Sequence, residues 1–252
     1  ELSTRDVVSR SISTEISEGR GTPSGGVFLD VSHLPSDVIE SRLPLMLSQF
    51  LKSGIDIRKE AMEVAPTAHH FMGGVAISPE GKSSVAGLFA AGEVSGGVHG
   101  GNRLGGNALA DTQVFGKRAG ESAGKYTGLC AADAASAAEE ALLRTEKEIE
   151  SLYSGTVSPA SVKKELQNLM WKNVGIYRNE LDLRVAEREI KRLTSAKLKI
   201  TSVTEAAAAF TVKNMLTVAA LVVNGALLRR ESRGAHTRTD IPVKWTPEKS
   251  PF

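Results

Sequence analysis

Between Gly87 and Gly124 the chain reads GLFAAGEVSGGVHGGNRLGGNALADTQVFGKRAGESAG, and no other stretch limits the fold so tightly. The short apolar run Leu88 to Ala91 predicts a strand that ends at Gly92-Glu93. A glycine-rich loop follows, and the apolar pattern from Ala108 onward predicts a helix. The loop crowds Glu93, His99, Asn102, Arg103 and Asn107 among seven glycines. Glycines let backbone amides approach a ligand closely while the polar side chains converge on it, so the segment reads as a cofactor and substrate site.

Length and composition bound what such a site can belong to. The 252 residues, 41% of them hydrophobic, suffice for one large or two modest domains with a sizeable core. The 31 basic and 29 acidic residues are mixed along the chain, which gives no electrostatic case for nucleic acid. The one cysteine, Cys130, excludes an internal disulfide or a zinc or iron–sulfur cage within this chain and fits a reducing compartment. The chain opens on Glu1 with no signal-peptide pattern and reads as a fragment. The most apolar long stretch, Ala206 to Leu228, is interrupted by Lys213, Asn214 and Asn224, which favours a packed helix over a membrane span.

Before the glycine stretch, Val7, Val8, Ile12 and Ile16 recur at helical spacing, with Ser3 or Thr4 able to cap the start. Arg5 in the first turn opposes the helix macrodipole, which favours acidic groups there. It is either a functional residue or an ordinary surface cation. GVFLDVSHL predicts a strand. Residues 35 to 54 predict helix broken near Pro44, and IDIRKEAMEVAP predicts a short strand ending at Pro66. In PTAHHFMGGVAISPEG, Phe71 to Ile77 alternates around a glycine pair, and Pro79-Glu80-Gly81 predicts a hairpin turn. His69 and His70 are adjacent, so on a strand only one of them faces a common site.

PTAHHFMGG, LFAAGE, HGGNRLGGNALAD, VFGKRAGE, MWKNVGIYRNE and RRESRGAHTRTDIP occur in that order. Together they resemble the flavoprotein subunits of fumarate reductase and succinate dehydrogenase, a family that includes L-aspartate oxidase. The likeness runs from Arg5 to Pro242. It implies an α+β and α/β fold, the C-terminal part of a two-dinucleotide-binding-type FAD domain. Residues 1–64 would be part of a capping domain, 65–124 would complete the FAD-binding domain, 125–230 would be helical, and 231–252 a tail. No strand–turn–helix unit with a G-x-G-x-x-G turn for the pyrophosphate occurs here. The expectation is that the N-terminal half of the flavoprotein supplies it, together with any histidine that links flavin covalently.

The resemblance implies FAD as cofactor and reversible hydride transfer between flavin N5 and a four-carbon dicarboxylate. His69 and Arg103 would bind the substrate carboxylates. Arginine suits that task because its planar fork matches a carboxylate bidentately. Arg5 would be the catalytic proton donor. A guanidinium, with a pKa above about 12, needs a proton relay to act so, and the relay residues would lie upstream of Glu1. Asp6 is adjacent to Arg5, but capping or pairing within the helix is an equally good role for it. Glu93, Asn102, Gly105, Gly106, Asn107, Ala108 and Leu109 would hold FAD. Glu93 would serve the ribityl chain, and the helix start from Gly105 to Leu109 would face the N1 and C2 carbonyl edge of the ring.

Downstream, Ala131–Tyr153, Ser161–Leu193 and Ser202–Arg230 carry helical periodicity and predict a bundle, with Met170, Trp171, Val174 and Ile176 in its core. Arg229, Arg230, Glu231, Arg233, Arg238 and Asp240 form either a salt-bridge cluster that docks the tail on the flavin domain or a partner surface. His236 reads as structural. The implied partners are a dicarboxylate (fumarate, succinate or L-aspartate), the N-terminal half of the flavoprotein and, in respiratory members, an iron–sulfur protein. The implied location is cytoplasmic, peripheral to the membrane through such partners.

Overall fold

The computed structural model describes residues 3–127 and 134–241. It divides into two compact units, Glu1–His69 and His70–Phe252. Cys130 and Pro242 lie outside the described residues.

The first unit begins with helix α1 (Arg5–Ser17). Thr4 stands at its N-cap without a side-chain cap bond. Its hydroxyl serves the Asp6 carboxylate instead, and together with Arg10, 2.9 Å away, lowers the Asp6 pKa. Asp6 is therefore a pairing residue inside the helix. Strand β1 (Val27–Leu29) pairs antiparallel with β2 (Met62–Val64), joining Val27 to Val64 and Leu29 to Met62. Between them, α2 (Ser36–Arg42) stops just short of Pro44, which becomes the first residue of α3 (Pro44–Lys52). Proline fits there because the first helical N–H has no intrahelical partner. Ile39, Leu47, Ile57 and Met62 form the small core of this unit.

In the second unit, β3 (Val75–Ala76) pairs parallel with β4 (Ser95–Gly96). The hairpin expected after Phe71 is therefore corrected. The turn at Pro79–Gly81 exists, with Gly81 N–H donating to Ser78 C=O at 2.9 Å, but it leads only to an isolated antiparallel bridge between Lys82 and Phe89. The expected strand Leu88–Ala91 shrinks to that bridge. The parallel partner of β3 lies one loop further on, and such a nonlocal pairing leaves no mark in local alternation. Gly74, at φ +153°, makes the pairing possible, because a Cβ there would stand 2.0 Å from the Val94 carbonyl oxygen.

Helix α4 (Asn107–Thr127) follows the glycine loop. The bundle comprises α5 (Ala134–Leu152), α6 (Pro159–Asn173), α7 (Glu180–Thr194) and α8 (Ala206–Leu228). Local chemistry sets the boundaries: Ser158 caps α6 by accepting from Ser161 N–H, and Asn179 caps α7 by accepting from Asp182 N–H at 2.9 Å. The predicted helical run 161–193 is broken by residues 174–179, which hold β5 (Tyr177–Arg178).

Val162 and Leu166 of α6 lie in the core with Leu183, Ala186 and Ile190 of α7 and Ala209, Val212, Leu216, Ala219 and Val223 of α8. That stripe recurs every three or four residues. Val174 is buried and Met170 packs at the core margin, but Trp171 is 59% exposed. One helical position from Met170 rotates a side chain by about 100°, off the stripe. Helix α8 is long and apolar enough to cross a membrane by length and composition, and its alanine-rich stripe is part of the bundle core. Strand β6 (Thr237–Arg238) returns to pair parallel with β5.

Candidate functional site

The glycine loop between β4 and α4 has no regular secondary structure and turns on left-handed glycines, Gly97 at φ +101°, Gly100 at +55° and Gly106 at +84°. Its course is fixed by what touches it. Ser95 Oγ donates to Gly92 C=O at 2.7 Å at the loop's entry. The amide of Arg103 points at Met72 Sδ, 3.0 Å away. At the exit, Asn107 N–H donates to Leu104 C=O at 3.3 Å and starts α4.

Glu93, in the 3-10 turn Gly92–Val94, clamps the segment before β3. Its Oε1 accepts from Phe71 N–H at 2.8 Å, and its Oε2 lies 3.5 Å from His70 Nδ1. The His70 ring meets the His99 ring edge to face, with centroids 5.4 Å apart. His99 Nε2 in turn lies 3.2 Å from Oδ2 of Asp111, a carboxylate in the second turn of α4 with 2% side-chain exposure. Glu93, His70, His99 and Asp111 thus form a continuous polar file beneath the loop. His70 Nε2, His99 Nε2, Arg103 Nε and Asp111 Oδ1 are buried without a hydrogen-bond partner among the described residues. The 3.2 Å approach of His99 to Asp111 is close but out of line for a hydrogen bond.

Of the residues singled out from the sequence, Asn102, Arg103, Gly105 and Gly106 lie in the loop, Asn107, Ala108 and Leu109 in the first turn of α4, and Glu93 in the 3-10 turn before β4. Arg5 and His69 belong to the first unit. Arg103 makes only a marginal bond, Nη1 to Leu104 C=O at 3.5 Å, and no ion pair with a carboxylate among the described residues. The amides of Ala108 and Leu109, in the first turn of α4, find no backbone acceptor in the loop before the helix either. Leu104 and Leu109, 74% and 76% exposed, flank that helix start. Free amides, a partial positive charge and apolar rims suit the electron-rich edge and flat face of a flavin, and an unpaired guanidinium suits a carboxylate. The residues present therefore fit FAD and an acidic substrate.

Sequence reasoning missed Asp111, named His70 only as the neighbour of His69, and noted His99 without a role. Asp111 sits four residues after Asn107, on the same helix face, and that spacing was the available signal. It also missed a contact from far along the chain. Ala235 N–H donates to Gly101 C=O at 3.1 Å, which docks the segment after α8 on the glycine loop. Of the two alternatives for that segment, the described ion pairs are internal: Arg238 with Asp240 at 2.7 Å and Arg229 with Glu231 at 2.7 Å. Arg238 holds Asp240 well below the usual carboxylate range. His236 is buried between Arg229 C=O and the Arg178 guanidinium, each at 3.1 Å. Burial, followed by repulsion from Arg178, Arg229 and Arg238, pushes its pKa down to about 4.

The chain is similar to known flavoproteins. Residues 1–109 match the FAD binding domain family and residues 163–246 match the fumarate reductase flavoprotein C-terminal family. One polypeptide of the fumarate reductase (CoM/CoB) of Methanothermobacter marburgensis is 52% identical over 251 residues, covering 96% of this chain and 45% of that protein. The chloroplastic L-aspartate oxidase of Arabidopsis thaliana is 38% identical, covering 96% of this chain and 38% of that protein. Among solved structures, an E. coli quinol fumarate reductase FrdA variant superposes with a TM-score of 0.86 at 32% identity, over 97% of this chain and 44% of that one. The chain thus spans less than half the length of these relatives.

Proposed function

Because the chain belongs to the fumarate reductase and succinate dehydrogenase flavoprotein family, whose cofactor is FAD, we propose that it is the C-terminal portion of an enzyme interconverting fumarate and succinate. The observation that carries this reading is Arg103, a guanidinium with a buried, unpaired Nε, beside the free amides at the start of α4. FAD, when bound, supplies hydride exchange at N5. Glu93, Asn102, Gly105, Gly106, Asn107, Ala108 and Leu109 would hold it. Glu93 keeps lone pairs for a ligand hydroxyl beyond the bond it accepts from Phe71, and the amides of α4 carry the partial positive charge that favours a reduced, anionic ring.

Arg103 and His69 would fix the substrate carboxylates, and the flat guanidinium fork would also polarise the alkene toward reduction. Arg5 would deliver the proton in reduction and receive it in succinate oxidation. The test is turnover of fumarate by the full-length protein with reduced viologen, with CoM and CoB tried as donors because they appear in the name of the relative at 52% identity. Undiminished turnover in an Arg5→Ala variant would remove the proton-donor role.

A second reading, L-aspartate oxidase, is supported by the 38% identity to the Arabidopsis enzyme and by the motif MWKNVGIYRNE. Formation of iminoaspartate and peroxide from L-aspartate under air would decide for it. A membrane-peripheral location and an iron–sulfur partner belong to the fumarate and succinate reading.

A further inference from the structure

We infer that Gly234 and Ala235 form a strut that positions the Arg103 loop and thereby sets dicarboxylate affinity, an inference that rests on Arg103 being a substrate ligand. The loop from Gly97 to Gly106 has no ladder or helix of its own to hold it, and its left-handed glycines leave it many conformations. Among the contacts that choose one, the Ala235 amide on Gly101 C=O lies two residues from Arg103.

The seat is built for close approach. Gly234 has φ +59°, and a Cβ there would stand 2.2 Å from Gly101 O and 3.1 Å from Asn102 Cβ. From the other side, a Cβ on Gly101 would stand 3.2 Å from Arg233 Cγ. Gly234 cannot be replaced without moving one backbone off the other, whereas a Cβ at Gly101 would press only on the Arg233 side chain.

The strut is also stiff. Arg233 N–H donates to His236 C=O at 2.9 Å and His236 N–H returns to Arg233 C=O at 3.1 Å, which closes a tight turn around Gly234. Behind the turn, Arg238 is 2% exposed and donates to Ala226 C=O at the end of α8 at 2.9 Å. It also grips Asp240, whose Oδ2 accepts from Glu180 N–H at the start of α7. His236 ties the turn to Arg178 of β5. The turn is therefore fastened to the bundle, and Gly101 is seated on a rigid part. A displacement of Gly101 by the length of a methyl contact would carry Arg103 with it, and misplacement of about 1 Å is enough to cost a large factor at a positioned group.

The experiment uses the full-length, FAD-loaded enzyme with fumarate as substrate and malonate as a non-reacting dicarboxylate, its binding read from flavin absorbance. Gly234→Ala should raise KM for fumarate and Kd for malonate by about tenfold, change kcat much less and leave FAD content at the wild-type level, whereas Arg103→Ala should abolish malonate binding. In unaltered enzyme, malonate should slow hydrogen exchange at the Ala235 amide, since coupling between the two places is reciprocal. Malonate affinity within about twofold of wild type in Gly234→Ala, with binding lost in Arg103→Ala, would overturn the strut and leave the substrate reading standing. Malonate binding intact in Arg103→Ala would overturn both. If Gly234→Ala loses its FAD or does not fold, exchange in the unaltered enzyme decides, and unchanged protection at Ala235 overturns the inference.

Discussion

His99 Nε2 and Asp111 Oδ2 stand 3.2 Å apart, on side chains only 9% and 2% exposed, so the glycine loop and the first turns of α4 are joined by a buried imidazole and carboxylate. A buried carboxylate is tolerated only beside such a partner. The pair fixes where α4 begins relative to the loop, and therefore where its free amides point. Asp111→Ala should lower unfolding free energy by about 2 kcal/mol by opening a gap beside the buried His99 ring, and Asp111→Asn, which keeps the shape, by less. Urea unfolding of both variants checks this, and equal stability of all three proteins would show that the pair carries no weight.

Arg103→Lys keeps the charge and loses the planar fork. If the guanidinium binds a carboxylate through two parallel bonds, kcat/KM for fumarate should fall by about 100-fold or more, with the larger part in KM. Steady-state kinetics on the full-length enzyme decide it, and a loss under about threefold would mean that a point charge suffices.

Gly74→Ala should prevent the parallel pairing of β3 with β4, because the added Cβ would fall 2.0 Å from Val94 O and φ there is +153°. The expected cost is at least about 2 kcal/mol, seen as a lowered unfolding midpoint. The same substitution at Gly116, where a Cβ meets nothing within 4 Å, should be neutral or slightly stabilising.

His236 should make stability depend on pH. Its pKa is about 4 in the folded chain against an ordinary 6.5, because burial and then the surrounding arginines disfavour the charged ring. Between those values the unfolded chain binds more protons than the folded one, so stability rises with pH. The contribution is complete above about pH 6.5 and is lost as pH falls toward 4. Melting curves across that range should show a steeper decline for wild type than for His236→Gln, and parallel declines would exclude the histidine as the source.

The features read correctly from the sequence are those whose cause is local. Pro44 breaks the helical run of residues 35 to 54, and the apolar stretch Ala206 to Leu228, read as a packed helix, forms α8 with its alanine-rich stripe in the core. The errors share a different cause. Val75 pairs with Ser95 across an intervening turn and bridge, so the apparent strand at Leu88 had no ladder to join. Trp171 is apolar but lies one position off the buried stripe. In the candidate site the glycine loop and Arg103 were visible because glycine and arginine report their own chemistry. Asp111 and Ala235 were not, and His70 could not be ranked against His69, because their importance lies in what they meet, and residue type alone does not encode orientation.

The contact between Ala235 and Gly101 also orders events in time. While the chain is being synthesised, the glycine loop emerges long before the residue that seats it, and the intervening helices must fold and bring Ala235 back. Closing so long a chain segment is among the later steps of folding. A ribosome-bound chain that has passed Arg103 but not Ala235 would thus carry every loop residue of the candidate site with the loop still unseated.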